Sequence, residues 1–174
     1  MAGNIWVISD THFNHSNILT SSDKVGKPVR AFSSVEEMNE TMIDRWNSVV
    51  KPGDKVYHLG DVFFGDKEAF SKLWPRLNGS KRLVVGNHDD VKYLSGGAFF
   101  KKVFMWRAFR DFGLLMTHVP VHESTLGEVR FDGRQVINVH GHIHQNPSPE
   151  GPYRCVCVEQ TNYTPVHIEE LTKK

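Results

Sequence analysis

Cysteine is nearly absent: the two in this chain, Cys155 and Cys157, lie two positions apart. In a strand that spacing points both thiols to one face and rarely permits a disulfide between them, so both are expected to be reduced and buried. No second Cys/His pair stands close by to complete a zinc site built from local pairs. Long apolar runs are missing as well. Nowhere do 18 apolar residues follow one another, and the first residues carry neither a basic segment nor a secretory-type apolar stretch, so a cytoplasmic, non-membrane location is the expectation. Neither sign of charge dominates: 21 Lys and Arg face 20 Asp and Glu, which argues against a strongly basic nucleic-acid binder or a membrane-surface protein. With 14 Gly, 8 Pro and 39% apolar residues, the collagen-like, low-complexity and disordered classes are excluded.

What remains is an ordinary globular composition over 174 residues, read as a single domain over 1–174. A chain of that length buries roughly 70% of the surface its unfolded form exposes, so its core needs no staple. Histidine is over-represented, with ten copies, and histidine is the commonest metal ligand and the acid/base group nearest neutral pH.

A short β-branched run predicts a strand over 4–9 that ends at Asp10. Ser34-x-x-Glu37 forms a capping box, and Val35, Met38, Met42, Trp46 and Val49 recur at spacings of three and four, which predicts a helix closed by Lys51-Pro52-Gly53-Asp54. A strand over 55–59 leads into Gly60-Asp61, and an amphipathic helix is expected over 66–77, shortened or kinked near Pro75. A buried-type strand over 82–85 runs into Gly86-Asn87-His88-Asp89. The stretches 102–109 and 114–117 read as an antiparallel hairpin into His118, and 135–139 reads as a strand ending at His140-Gly141-His142-Ile143-His144. Two further strands are expected over 153–159 and 164–171. Helices early and hairpins late give an α/β or α+β class with one core. The stretch 119–133 lacks periodicity and is the candidate for a functional loop, while 20–32 fits no pattern.

Five strand ends run from apolar residues into metal-ligand types: Asp10-Thr11-His12, Gly60-Asp61, Gly86-Asn87-His88-Asp89, His118 and Gly141-His142-Ile143-His144. The carboxyl ends of strands in an open sheet line one crevice, so distant segments can meet there. Asp10 with His12, and His142 with His144, sit at i and i+2, on one face of an extended segment. The glycines before Asp61, Asn87 and His142 allow close backbone approach. In content and order these blocks resemble the signature of the calcineurin-like metallophosphoesterase superfamily, and the resemblance covers residues 10–144.

That resemblance implies a two-sheet β-sandwich flanked by helices and a two-metal centre. It implies that Asp10, His12, Asp61 and His144 hold one ion, and that Asp61, Asn87, His118 and His142 hold the other, with Asp61 bridging. It further implies that His88 and Asp61 are catalytic, and that Asn87 and His88 contact phosphate. His88 would protonate or steady the leaving oxygen, with Asp89 or Asp10 orienting it. Two divalent ions about 3.5–4 Å apart repel by roughly 17–19 kcal/mol at an effective dielectric near 20, so negative bridges such as Asp61 are required. Mixed imidazole, carboxylate and amide donors favour Mn, Fe or Zn, with Mn placed first.

Beyond the blocks, His15 and Asn14 are close enough to His12 to touch substrate or support a ligand, and His122, Glu123 and Arg130 fall in the candidate loop. His58, His140 and His167 are read as packed or exposed, and Trp6, Trp46, Trp74 and Trp106 as core or amphipathic residues. The expected activity is hydrolysis of a small phosphomonoester or nucleotide-like phosphodiester. Lys81-Arg82, Lys101-Lys102, Arg107 and Arg110 keep open a nuclease reading, and a drifted, non-catalytic scaffold is the third alternative.

Overall fold

Period-two alternation sorts the early strands onto two cores. The computed structural model describes residues 3–22, 25–127, 130, 131 and 133–173. In β1 (Ile5–Ile8), Val7 packs into one apolar cluster and Ile8 into another. After β1 comes α1 (Val35–Val49), then β2 (Lys55–His58), where Val56 and Tyr57 divide in the same way. Then follow α2 (Lys67–Leu73), β3 (Ser80–Val84), α3 (Val91–Gly96), β4 (Val103–Phe104), β5 (Arg107–Phe109) and β6 (Leu114–Met116). The chain continues through α4 (Glu123–Gly127), β7 (Arg130–Phe131), β8 (Arg134–Gln135), β9 (Ile137–His140), β10 (Tyr153–Cys155) and β11 (Val166–His167).

One sheet has the order β11-β1-β2-β3-β4, and a second has the order β10-β9-β6-β5. The pairs β1/β2, β2/β3 and β3/β4 are parallel, and so are β6/β9 and β9/β10; β11 and β5 are the antiparallel edges. Between the sheets lie Val7, Tyr57, Leu59, Val84, Leu114, Met116, Val139 and Val156. The outer face of the first sheet carries Ile8, Val56 and Leu83 against Met38, Met42 and Trp46 of α1 and Phe70 of α2. The result is a two-sheet sandwich flanked by helices. Among the described residues no helix is long and apolar enough to cross a membrane.

The capping box works as drawn at its N-cap, where the Ser34 hydroxyl accepts from the Glu37 N–H at 3.1 Å. The Glu37 carboxylate reaches one residue further back, accepting from the Ser33 N–H at 2.8 Å. Pro75 shortens the second helix as expected: α2 stops at Leu73 and a 3-10 turn, Trp74–Arg76, completes it.

Five expectations need correction. The stretch 102–109 is two strands in different sheets, β4 beside β3 and β5 beside β6, because Met105 and Trp106 carry the chain from one sheet to the other. The second half is not all hairpin: β6/β9 and β9/β10 pair in parallel, since 119–136 and 141–152 are long enough to return the chain to the same end. The last two strands are short, and a 3-10 turn over Glu170–Thr172 ends the second. Finally, Trp106 is not a core residue; it is 61% exposed. The stretch 119–133 contains α4 and β7 rather than loop alone.

Candidate metal centre

Parallel pairing of β1, β2 and β3, and of β6 with β9, sends five chain ends to one edge of the sandwich. At that edge the backbone turns sharply. Eight non-glycine residues among those described have positive φ, and six belong to these turns: Asp10 (58°), His12 (47°), Asn14 (64°), Asp61 (56°), His142 (71°) and His144 (50°). Left-handed backbone at a residue with a Cβ costs of order 1–3 kcal/mol and concentrates where function over-determines geometry. Close approach lets these turns interlock. A Cβ on Gly60 would stand 2.5 Å from the Cα of Gly86 and 2.8 Å from Nδ1 of His118.

Two groups of ligating atoms result: Asp10, His12 and His144 in one, and Asp61, His118 and His142 in the other, each within 4.8 Å internally. Asp61 joins them, because its Oδ2 lies 3.7 Å from His12 Nε2 and 3.6 Å from His118 Nε2. Asn87 stands beside the second group, its Oδ1 being 2.8 Å from His118 Nε2. All seven residues proposed from the sequence as ligands therefore meet at one edge.

The polar atoms left without partners fit cations. Asp10 Oδ1 and both ring nitrogens of His12 are buried with no hydrogen-bond partner among the described residues, a cost of about 1–3 kcal/mol per group unless something pairs with them. Asp10 Oδ1 lies 3.8 Å from His12 Nε2, leaving a gap that an ion bound by both would fill. In the second group, His118 Nδ1 donates to the Leu59 carbonyl at 2.7 Å, which points Nε2 at Asn87 Oδ1, 2.8 Å away. His144 is arranged alike: Nδ1 lies 2.9 Å from Glu159 Oε1, which leaves Nε2 for a ligand. A ligating histidine that gives its other N–H to a carbonyl or carboxylate is the usual supporting pattern of metal sites.

Electrostatics follow from this burial. Burial pushes the Asp10 carboxyl up, but the imidazole of His12 beside it, the Ser9 side chain and the charges of His118 and His144 outweigh it and hold the group well below the usual range. Burial pushes His12 down. For His144 burial also pushes down, yet the Glu159 hydrogen bond and charge win and raise it. Burial raises Asp89.

Sequence reasoning missed much of the support. Arg30, in the stretch without a pattern, is fully buried: it donates to the Thr11 carbonyl at 2.7 Å and the Asp10 carbonyl at 2.5 Å, and its Nε and Nη2 lie 2.8 and 2.7 Å from Glu159 Oε1. Cys157 donates its thiol to Asp10 Oδ2 at 3.3 Å, beside the His142 N–H at 2.8 Å. Phe64 is an aromatic hub, with its ring 4.1 Å from that of His15 and 5.1 Å from those of His12 and His88. No local signal in the sequence marks any of these three.

Other sequence candidates divide. His88 is exposed beside the clusters, its ring 6.2 Å from His12, and its N–H is fixed by Asp61 Oδ1 at 2.9 Å. Asp89 does not hold the imidazole of His88; its two oxygens accept backbone N–H groups of Asp61, Val62 and Gly86. Asp10 makes no hydrogen bond to that imidazole either: its Oδ2 accepts from the His142 N–H and the Cys157 thiol. His15 stacks on Phe64, and burial, then the charges of His12 and Arg30, push it down to about 4. Asn14 is locked to Asn39, whose amide donates to Asn14 Oδ1 at 2.7 Å. His122 is exposed, and its hydrogen bonds are local, to Ser124 at the start of α4; Glu123 is exposed in that helix, and the Arg130 side chain lies outside the described residues. His58 is buried, with Nε2 2.9 Å from the Thr11 hydroxyl, His140 is buried with a ring nitrogen 3.1 Å from the Ser148 hydroxyl, and His167 meets Trp6 edge-on. Cys155 and Cys157 are both free thiols; Cys157 is buried past the end of β10, where it bridges to Ser9, and Cys155 is half-buried.

A family model described as calcineurin-like phosphoesterase matches residues 3–172. The uncharacterized protein MJ1445 of Methanocaldococcus jannaschii is 36% identical over 178 residues, covering 97% of this chain and 89% of its own length. The gene 66 protein of Mycobacterium phage L5 is 28% identical, covering 81% and 77%. Among solved structures, the protein of unknown function AQ665 from Aquifex aeolicus superposes with a TM-score of 0.74 at 28% identity, covering 97% of both chains.

Proposed function

The chain belongs to the calcineurin-like phosphoesterase family, and from that premise we propose that it hydrolyses a small phosphomonoester or nucleotide-like phosphodiester with a pair of divalent ions. The observation that carries the dinuclear reading is the single oxygen, Asp61 Oδ2, nearly equidistant from the leading imidazoles of the two groups. One negative atom shared between two cations is what their mutual repulsion demands. Asp10, His12 and His144 would hold one ion with Asp61; Asn87, His118 and His142 would hold the other. A divalent pair there supplies Lewis acidity toward phosphate oxygens and a water acidic enough to attack phosphorus.

The chain's own residues do the rest. Arg30 and Glu159 fix the turn that carries Asp10 and the ring of His144. Asp89 ties the Asp61 turn to the Gly86 turn, so the bridge and the loop bearing Asn87 keep their spacing. His88, exposed beside the groups, delivers a proton to the leaving oxygen or steadies it. His15, from its stack on Phe64, and His122, just before α4, would be further substrate contacts. Mixed nitrogen and oxygen donors suit Mn, Fe or Zn, with Mn first. Free thiols at Cys155 and Cys157 suit a reducing, cytoplasmic setting.

Part of the basic set is taken up against aromatic rings: Lys81 lies over Trp74, Arg82 over Tyr57, and Arg107 against Phe104 and Phe109. Lys101 and Lys102 are exposed, and Arg107 and Arg110 line the groove beside Asn87 and His118, so small esters and oligonucleotides are both assayed. The test is metal quantification after reconstitution together with a panel of p-nitrophenyl phosphate, bis-p-nitrophenyl phosphate, cyclic nucleotides and oligonucleotides. Two ions per chain and turnover of a small ester, both lost in Asp61→Asn, are expected. One ion per chain, cleavage of oligonucleotides alone, or an Asp61→Asn protein with full metal content and turnover would overturn the reading.

A further inference from the structure

Three of the five large hydrophobic side chains that stand exposed among the described residues gather in one place: Met105 (74%), Trp106 (61%) and Val119 (45%). Topology explains why. β4 runs parallel to β3 and ends at Phe104, so Met105 and Trp106 leave the first sheet at the same edge as Gly86 and Asn87; the Val85 N–H still donates to the Phe104 carbonyl at 2.9 Å. β5 is antiparallel to β6 with Arg107 opposite Met116, so Trp106 also faces the turn into His118. Trp106 thus lies between two elements of the metal centre. A groove of about 1190 Å³ opens there, with Asn87 and His118 in one wall and Met105, Trp106, Leu115 and Val119 among its apolar lining.

Resting on the phosphoesterase reading above, we propose that this groove binds the planar aromatic part of the substrate, a nucleobase, with Trp106 as its stacking face. A ligand whose phosphate sits against Asn87 and His118 has the groove as its continuation, since both residues belong to the wall and to the centre. Among the described residues the Trp106 indole stacks on no ring and its N–H meets no acceptor, unlike Trp6, Trp46 and Trp74, whose N–H groups all reach one. An exposed indole beside apolar walls suits a flat π-face better than a flexible chain, because ring on ring gains stacking as well as burial. Base stacking on an aromatic side chain is worth about 1–3 kcal/mol, roughly 5- to 150-fold in affinity. Trp106 touches the base and does no chemistry.

Titration calorimetry on the metal-reconstituted protein tests this with two probes that resist hydrolysis: the phosphonate analogue of adenosine 5′-monophosphate and the corresponding ribose phosphonate. We expect the adenosine probe to bind at least about tenfold tighter. Trp106→Ala should abolish most of that advantage, Trp106→Phe should keep it within about threefold, and the ribose probe should respond to neither. Equal binding of the two probes, or an equal loss for both in Trp106→Ala, overturns the proposal. So does a concentration-dependent dimer dissolved by Trp106→Ala, which assigns the groove to a second copy of the chain. A protein that binds adenosine preferentially but hydrolyses no ester leaves the groove's ligand standing and removes the phosphoesterase reading instead.

Discussion

Glu159 holds a cation on one side and an imidazole on the other. Its Oε1 accepts from Arg30 and faces His144 Nδ1, while its Oε2 has no partner among the described residues. Burial pushes its carboxyl up, and His144 and Arg30 together more than reverse that and hold it below the usual carboxylate range, so it stays ionised. Glu159→Gln removes the charge that orients His144, and a loss of about 10- to 100-fold in metal affinity is expected, read by titrating the metal-free protein with Mn. Unchanged affinity would reduce Glu159 to a packing role. His58 makes a second residue-level prediction. Burial, then the neighbouring His12 and His118, push it down to about 3 against the pull of Asp10. Because its folded value lies below its unfolded value, the unfolded chain takes up a proton that the folded chain refuses. Stability is therefore lost as pH falls from about 6.5 toward 3, by up to about 1.4 kcal/mol per pH unit from this group. Denaturant midpoints of metal-free protein should fall less steeply between pH 6 and 4 in His58→Gln than in the parent; parallel curves would sink the assignment.

At the scale of elements, the strand ends matter more than the strands. β2 and β3 end side by side, and Gly60 sits where a Cβ would strike the Gly86 backbone, at a φ of 94°. Gly60→Ala must push the two turns apart, so a cost of about 1–3 kcal/mol is expected from overpacking, with further loss of bound metal because Asp61 and His118 separate. Thermal unfolding and metal content together check this; a destabilised protein with full metal content would count against the interlocking of the turns. The elements also show what pattern reading reaches. α1 was legible because Ser34, Glu37 and five apolar residues all report one 3.6-residue period. β4 and β5 were not, because a continuous apolar stretch gives no sign that Met105 and Trp106 change sheets.

For the whole molecule, the centre ties the two sheets together. Asp10 follows β1 of the first sheet and takes the backbone N–H of His142 after β9 of the second, while Ser9 pairs with the chain beyond β10. Ions bound there bind the folded chain and not the unfolded one, so metal at about a hundred times its dissociation constant should stabilise by roughly 2.7 kcal/mol. Chelation should lower the melting temperature, and adding Mn back should restore it. A melting temperature indifferent to chelator would mean that the sheets are joined without help from the site.

The blocks Asp10-Thr11-His12, Gly60-Asp61, Gly86-Asn87-His88-Asp89, His118 and Gly141-His142-Ile143-His144 were legible in the sequence because a metal centre restricts residue type and order wherever its ligands fall. Periodicity likewise exposed α1, since a buried face must repeat at the period of its own backbone, and a short β-branched run exposed β1. Arg30, Glu159, Cys157 and Phe64 required the tertiary structure. Their roles depend on what they meet across 129 residues in the case of Arg30 and Glu159, and 147 in the case of Cys157 and Asp10, distances at which no local pattern carries information. Trp106 is the same lesson in reverse: its residue type suggests a core, and only the crossing between sheets leaves its face open beside the centre.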